Sequence, residues 1–470
     1  MSTRALPSAA ADARPAAGRF DWIWQLGFLA AHVPLAILIP KHSMQVTWHA
    51  RLALLFGVAL ALTTRRWERI ACVAAYITGA EVYWRMRRAD IPWEFGKYAV
   101  VLILAIAIIR FGRFQKTILP AAYFLLLMAS VPLTIMAMNP EDAREQLSFN
   151  MSGPLSLAVC SMFFFTIRVT KRELKWILTC LIAPTVAIGT VATVTLQKAQ
   201  KFFDEEFGNQ ANRAASGGFG PNQVSAILGL GILCVFFIMV IGVGNKIASA
   251  SLVLLTLFLI RQCAITFSRG GLWMAGAGIL SAAFYLARDK KTRLRLLGVA
   301  VVVIPLLVFV VWPRLEAMTG GKIGDRFANT DSTGRDLLVQ GDLVTWSENP
   351  VMGAGPGMGG KNRLKYFHVE TAHTEYSRML AEHGVLGLLA LVIMGYMGFR
   401  NVWYAPTRLD KAFAAAMLAY ATLNMLVDGM RIVAVGFTFG LSGMRLLLPK
   451  RRVAAHEPRP QVAVAVASRA

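Results

Sequence analysis

The chain has 470 residues, 56% of them hydrophobic and 16% charged, with a mean hydropathy of +0.53. A single water-soluble core of this size cannot hide that much apolar surface, so the composition excludes an ordinary soluble enzyme and describes a polytopic membrane protein. The net charge of +23 suggests nucleic acid only if the positions of the charges are ignored, and the five cysteines (Cys72, Cys160, Cys180, Cys234, Cys263) all lie in apolar runs, leaving no disulfide framework and no zinc cluster.

Taken in chain order, the first 20 residues carry Arg4, Arg14 and Arg19 without a short apolar core or a small-residue cleavage site, and read as a retained cytoplasmic tail. A membrane span needs about 20 residues, and about fourteen apolar stretches of roughly that length follow. They lie near 22–40, 49–63, 68–84, 97–111, 117–138, 153–169, 174–196, 221–244, 247–267, 270–287, 296–312, 373–399, 412–428 and 432–448. The expected fold is an all-α polytopic transmembrane bundle of about 12–14 helices. Its N-terminal helices occupy 21–196, and a transmembrane core with arginine motifs spans 197–312. A large external loop fills 313–372, and C-terminal helices follow over 373–450. The Ala/Val-rich stretch 451–470 is expected to be a disordered cytoplasmic tail. Within the large loop, Leu337, Leu338, Gly341, Leu343 and Val344 recur at helical spacing and predict a short helix lying on or over the membrane.

With both termini cytoplasmic, most Lys and Arg fall in inner loops and most Asp and Glu in outer ones, as the positive-inside rule requires. Clusters such as Arg65-Arg66, Lys290-Lys291 and Lys450-Arg451-Arg452 are therefore orientation signals facing anionic headgroups, and nucleic acid is not a partner. One outer loop departs from the rule, with Arg85, Arg87 and Arg88 only partly offset by Asp90 and Glu94.

Three clusters open helices that run from outside to inside. The first is Arg213-Ala-Ala-Ser216-Gly217-Gly218-Phe219-Gly220-Pro221-Asn222, where Pro suits the first helical turn and the glycines allow close backbone approach to a ligand. Read alone, Arg213 fits either an anion seat or a headgroup contact. In the second, Ser268-Arg269-Gly270-Gly271, Ser268 is placed to cap the following helix, and Arg269 at the membrane edge fits snorkelling as well as binding. Arg261, within an apolar span, either pairs with a carboxylate such as Glu81 or serves function. The third is Thr371-Ala372-His373-Thr374-Glu375-Tyr376-Ser377-Arg378. Here Glu375, Arg378 and Glu382 share a helical face and can satisfy one another, while His373 and Tyr376 point elsewhere. Positive helix ends gathered at the outer face predict an anionic ligand, and two guanidiniums suit a pyrophosphate.

Other chemistries lack their residues. Gly355 to Asn362 nearly matches a phosphate-binding loop but ends in Asn and follows no strand, so a Gly/Pro turn is expected. No Asp-x-Asp pair, Gly-x-Ser-x-Gly elbow or His-Glu-x-x-His stands out, and no metal site or cofactor is expected. Asn150-Met151-Ser152 fits the glycosylation pattern by chance.

These motifs resemble those of the O-antigen ligase and polymerase superfamily of bacterial inner membranes. Arg213 to Asn222 is similar to its Arg…Gly-x-Phe-Gly-Asn-Pro-Asn stretch, with Gly220-Pro221-Asn222 lacking the first Asn. Ser268-Arg269-Gly270 is similar to its Ser-Arg-Gly, Arg335 to Gly357 to its Arg…Trp…Asn-Pro…Gly-x-Gly, and His373 to Gly384 to its His-x-x-Tyr…Glu-x-Gly. The resemblance covers roughly 200–400. It implies a membrane glycosyltransferase of the GT-C-like type whose large periplasmic loop carries short helices. The donor would be an undecaprenyl-pyrophosphate-linked glycan and the acceptor lipid A-core or a growing glycan, with membrane lipids around the protein and neither metal nor nucleotide required. Carried over by position, His373 would be the catalytic histidine, and Arg213 and Arg269 would bind the pyrophosphate. Arg261, Arg335, Glu375 and Tyr376 are secondary candidates, Glu375 orienting His373 or Arg378. A polymerase of the same superfamily is the alternative, and a lipid-linked glycan transporter the alternative from another class; a transporter should show broken helices near the midplane and symmetric halves.

Overall fold

A computed structural model describes residues 21–203, 211–329, 335–365 and 374–447. Both expected tails lie outside them, as does His373; Arg335 opens a helix, but its side chain also lies outside them. The described chain is an all-α polytopic helix bundle.

The first expected span is two helices, α1 (Asp21–Ala30) and α2 (His32–Leu38), broken just ahead of Pro34, whose missing N–H interrupts the ladder. Next come α3 (Met44–Thr63), α4 (Trp67–Met86) and α5 (Phe95–Phe111). Pro132 similarly divides α6 (Ile118–Met128) from α7 (Val131–Ala137). Helix α8 (Pro140–Phe164) starts well before the expected 153, because Asn139 caps it, Pro140 occupies its first turn, and Glu141 and Asp142 favour its positive end.

Helix α9 (Lys171–Phe203) is the long central element, followed by α10 (Pro221–Ile241), α11 (Lys246–Ile265) and α12 (Gly270–Leu286). Helix α13 (Lys290–Leu306) passes through a π turn beside Pro305 into α14 (Trp312–Thr319). The large loop carries α15 (Lys322–Ala328), the expected α16 (Arg335–Glu348) and α17 (Met358–Arg363). Last come α18 (Glu375–Trp403), α19 (Arg408–Val427) and α20 (Ala434–Leu441). The final expected span is thus much shorter than 432–448, and a helices-only fold is departed from there: β1 (Arg168–Val169) pairs in parallel with β2 (Arg445–Leu446).

Among the described residues nine helical segments are long and apolar enough to cross a membrane. The other expected spans, α4, α5, α12, α19 and α20, are helices too, but shorter or interrupted by charge such as Glu81 and Arg85 in α4. α4 lies along α9, α10 joins α9 to α12, and α12 lies along α19.

Small residues set the crossing that matters most for the site. A Cβ on Gly229 of α10 would stand 2.2 Å from the Gly271 carbonyl oxygen, and one on Gly271 would stand 1.9 Å from that of Ser225. The backbones of α10 and α12 therefore touch, as membrane helices do when small residues line a contact. Ser225 fastens the crossing, its hydroxyl donating to the Ser268 carbonyl at 2.7 Å and accepting from the Gly271 N–H at 3.0 Å. Gly271→Ala should cost about 1–3 kcal/mol by forcing these helices apart. Gly276→Ala, on the same helix with open space around its Cβ position, should cost nothing. Thermal unfolding of the two variants in detergent checks the contrast.

Candidate active site

The first two motifs are joined at one end of the bundle. Asn212 organises the turn that contains Arg213: its side-chain oxygen accepts from the Ala215 N–H at 2.8 Å, its carbonyl accepts from the Ser216 hydroxyl at 2.7 Å, and its own N–H donates to the Thr266 carbonyl at 3.0 Å. Gly217 and Gly218 then take left-handed φ values of +66° and +78°, and α10 begins at Pro221. The Ser268 hydroxyl donates to the Asn222 side chain at 2.8 Å. Ser268 therefore does not cap α12 as expected: the residue at that cap is Arg269, and the serine links the two motifs instead. Phe267, fully buried, is held at φ +56°, and its carbonyl accepts from the Arg326 side chain at 3.0 Å. Arg213 is exposed, and the Arg269 guanidinium donates to the Asn329 carbonyl.

Arg261 is half-buried and donates to its neighbour Gln262 at 2.7 Å, with Met318 sulfur at 3.8 Å. The expected alternative of an Arg261–Glu81 pair is therefore corrected: Glu81 belongs to Arg85, one helical turn away at 2.7 Å, where the geometry is local.

The third motif heads α18. Glu375, Arg378 and Glu382 satisfy one another as their spacing predicts. Arg378 donates to Glu382 at 2.6 Å and to both oxygens of Glu375, and the whole group is buried, Glu375 and Glu382 being 2% exposed. It also donates to the Asn150 side chain at 3.0 Å. Tyr376 points away from this set and donates to the Thr422 carbonyl at 3.0 Å. Below it the helix breaks at Gly384 (φ +59°), where a Cβ would lie 2.5 Å from the Val351 carbonyl oxygen. The break frees backbone groups for the Asn349-Pro350…Gly355 stretch: Ala354 and Gly355 N–H groups donate to the Ala381 and Glu382 carbonyls at 2.9 and 3.0 Å, and Val385 N–H donates to Pro350 at 2.9 Å. The Gly355 to Asn362 segment is the expected turn only as far as Gly357; from Met358 it is α17. A second buried link ties Asp342 of α16 to Arg363 of α17 and to the Ser377 hydroxyl at 2.5 Å. Burial pushes the Asp342 carboxyl above the ordinary aspartate range, and Arg363 and Ser377 pull it back.

Several of these residues escaped the sequence reading. Arg85 ties α4 to Gln223 at 3.0 Å, to the Trp93 carbonyl at 2.8 Å and to the Arg431 carbonyl at 3.2 Å. Its signal was present as a break in the charge rule. Asn150, set aside as a chance glycosylation pattern, is a buried partner of Arg378.

Two cavities open among these elements. The larger, 1090 Å³, is bounded by Glu94, the first turns of α8, the α17 segment, the head of α18 from Thr374 to Glu382, and the α19–α20 turn at Asp428 to Arg431. The smaller, 380 Å³, lies between the end of α4 and Gly218-Phe219 of the first motif, and shares Pro92 and Trp93 with the larger. Among the described residues no group of His, Cys, Asp and Glu could hold a metal ion.

This combination defines a multi-pass membrane protein with a polar, partly charged chamber built from separate helix heads at one end of its bundle. Residues 250–392 match the family model described as O-Antigen ligase. That match supports the resemblance to the O-antigen ligase and polymerase superfamily read from the motifs. The match includes the second and third motifs and the large loop; the Arg213 motif precedes it. No curated protein matches the chain.

Removing Arg378 leaves two buried carboxylates without their counter-charge, a loss of about 3–5 kcal/mol. Arg378→Ala should therefore lower the unfolding midpoint far more than Asn150→Ala, which removes one hydrogen bond worth about 1 kcal/mol or somewhat more. Thermal melts of the two purified variants read this difference.

Proposed function

We propose that the protein transfers a glycan from undecaprenyl pyrophosphate to an acceptor hydroxyl at the periplasmic face of the bacterial inner membrane, with both termini in the cytoplasm. The observation that carries this reading is the joining of the Arg213 turn to the Ser268-Arg269 turn through Asn222, with Gly218-Phe219 on the smaller cavity and the head of α18 on the larger one that adjoins it at Pro92 and Trp93. Two guanidiniums on separate helix heads suit the two phosphates of the donor.

In this reading His373 accepts the proton of the acceptor hydroxyl as its oxygen attacks the anomeric carbon. The bond from that carbon to the pyrophosphate oxygen breaks, and undecaprenyl pyrophosphate departs with the electron pair. Arg213 and Arg269 stabilise the charge that grows on it, and the anomeric configuration inverts. Arg378, held by Glu375 and Glu382, fixes the start of α18, and Glu375 is proposed to orient His373. Arg261 and Arg335 are proposed for second-phosphate or acceptor contacts and Tyr376 for shaping the head of α18. Lipid A-core is the acceptor in the ligase reading.

The test is transfer from purified lipid-linked donor to lipid A-core by protein in proteoliposomes, without ATP or added metal. His373→Ala and Arg269→Ala should each lower the rate at least about a hundredfold, as loss of a general base or of an oxyanion donor does. A rate within about tenfold of wild type in either variant, at equal protein level, contradicts the assignment. Growth of a polymer ladder instead of core-linked product selects the polymerase.

A further inference from the structure

At the end of the bundle opposite the candidate site, separate chain segments meet around β1. Lys116, in the link between α5 and α6, donates from Nζ to the Phe165 carbonyl at 2.9 Å, and Arg113 donates to the Thr166 carbonyl at 3.0 Å. Arg445 of β2 is the register partner of Arg168 of β1, and its N–H donates to the Ile167 carbonyl at 3.1 Å. The Arg445 guanidinium reaches the Asn401 carbonyl at 2.7 Å, next to Arg400 near the end of α18. Cations from the α5–α6 link, β1, β2 and α18 are therefore neighbours.

Two of them, Arg168 and Arg400, have no hydrogen bond or ion pair among the described residues. Although Lys116 is an exposed residue, partial burial of its ammonium and then the charges of Arg445, Arg400 and Arg168 hold it below the ordinary lysine range. The nearby carboxylates are engaged. Asp410, which attracts Arg445, is buried and accepts from the Leu446 N–H at 2.7 Å and the Thr407 hydroxyl at 2.5 Å. Glu173 accepts from the Thr170 N–H at 2.7 Å, and Asp21 pairs with Arg172 at 2.6 Å.

An orientation signal needs only basic side chains spread among headgroups. Here backbone carbonyls tether Lys116 and Arg445 beside further cations, and like charges so gathered repel unless an anion lies among them. The same segments carry exposed apolar side chains. Phe114 and Ile118 flank Lys116, while Phe399, Trp403 and Tyr404 flank Arg400, with the Phe399 and Trp403 rings stacked at 5.4 Å. Aromatic groups beside cations suit the headgroup level of a bilayer, and a soluble anion would have no use for them.

We propose that Lys116, Arg168, Arg400 and Arg445 form a seat for the phosphate of an anionic phospholipid, whose acyl chains run along the apolar side chains beside Lys116 and Arg400. In the orientation proposed above the seat lies in the cytoplasmic leaflet, and it is independent of the transfer reaction.

The test is native mass spectrometry of the full-length protein, delipidated in detergent and titrated with dioleoyl phosphatidylglycerol. Arg168→Gln and Arg400→Gln should each raise the Kd of the tightest-bound lipid about fivefold, and together about twentyfold, the loss expected when basic side chains leave an anionic headgroup. Lys246→Gln combined with Lys290→Gln removes the same charge at the heads of α11 and α13, outside the seat, and should change Kd less than about twofold. Without lipid, the double arginine variant should melt at or above the wild-type temperature, because repulsion is relieved and no partner is lost. Unchanged affinity in that variant, an equal loss in the lysine control, or a lower melting temperature without lipid overturns the seat. Displacement of the lipid by an equal concentration of dioleoyl phosphatidylcholine does the same. Displacement by inorganic phosphate assigns the cations to a soluble anion and overturns the lipid.

Discussion

A guanidinium taken out of water at the head of α18 is the constraint from which much of this end of the molecule follows. An isolated buried charge is prohibitively costly in a protein interior, so Arg378 requires Glu375, Glu382 and Asn150 at bonding distance together. Each of those requirements reaches another element. Asn150 brings in α8, and Glu375 accepts from the Met430 N–H at 3.2 Å and brings in the α19–α20 turn. The broken turn at Gly384 adds the Pro350 to Gly355 stretch of the large loop. The result is a rigid collar at the point where the loop meets the membrane helices, and rigid support of this kind is what a positioned catalytic group needs.

The other half of the site depends on closeness instead of charge. Gly229, Gly271 and Ser225 let α10 and α12 meet backbone to backbone, which puts Asn222 within reach of Ser268 and so places the Arg213 and Arg269 turns side by side. Arg85 closes the gap between the two halves, joining α4 to Gln223 on α10 and to the turn before α20. Charge is unevenly distributed across the chambers that result: Arg85 and Arg88 with Glu81 line the small one, while the large one has more carboxylates, Glu141, Asp142 and Glu145 of α8 among them, than arginines. For the proposed transfer of a glycan from an anionic leaving group to a neutral hydroxyl, that asymmetry supplies direction.

Much of the fold was legible because a bilayer imposes one length scale on apolar sequence, and every expected apolar stretch contains helix. What failed had local causes. The first half of α8 is too polar to register as a span, yet its cap, proline and acidic first turn were all readable signals. The last expected span was overextended because a two-residue strand looks like any other apolar run. At the site, Glu375, Arg378 and Glu382 were readable because they lie on one helix, whereas Asn150 stands 228 residues from its partner and no spacing rule connects them. Arg261 shows the converse error: an attractive partner in the sequence, Glu81, was already taken by the nearer Arg85.

The most direct measurement is a cryo-electron microscopy map of the protein in a nanodisc with a lipid-linked pyrophosphate donor bound. The account predicts phosphate density between the Arg213 and Arg269 turns at the end of the bundle where α18 begins. Phosphate density at the opposite membrane face, or touching neither arginine, would contradict it.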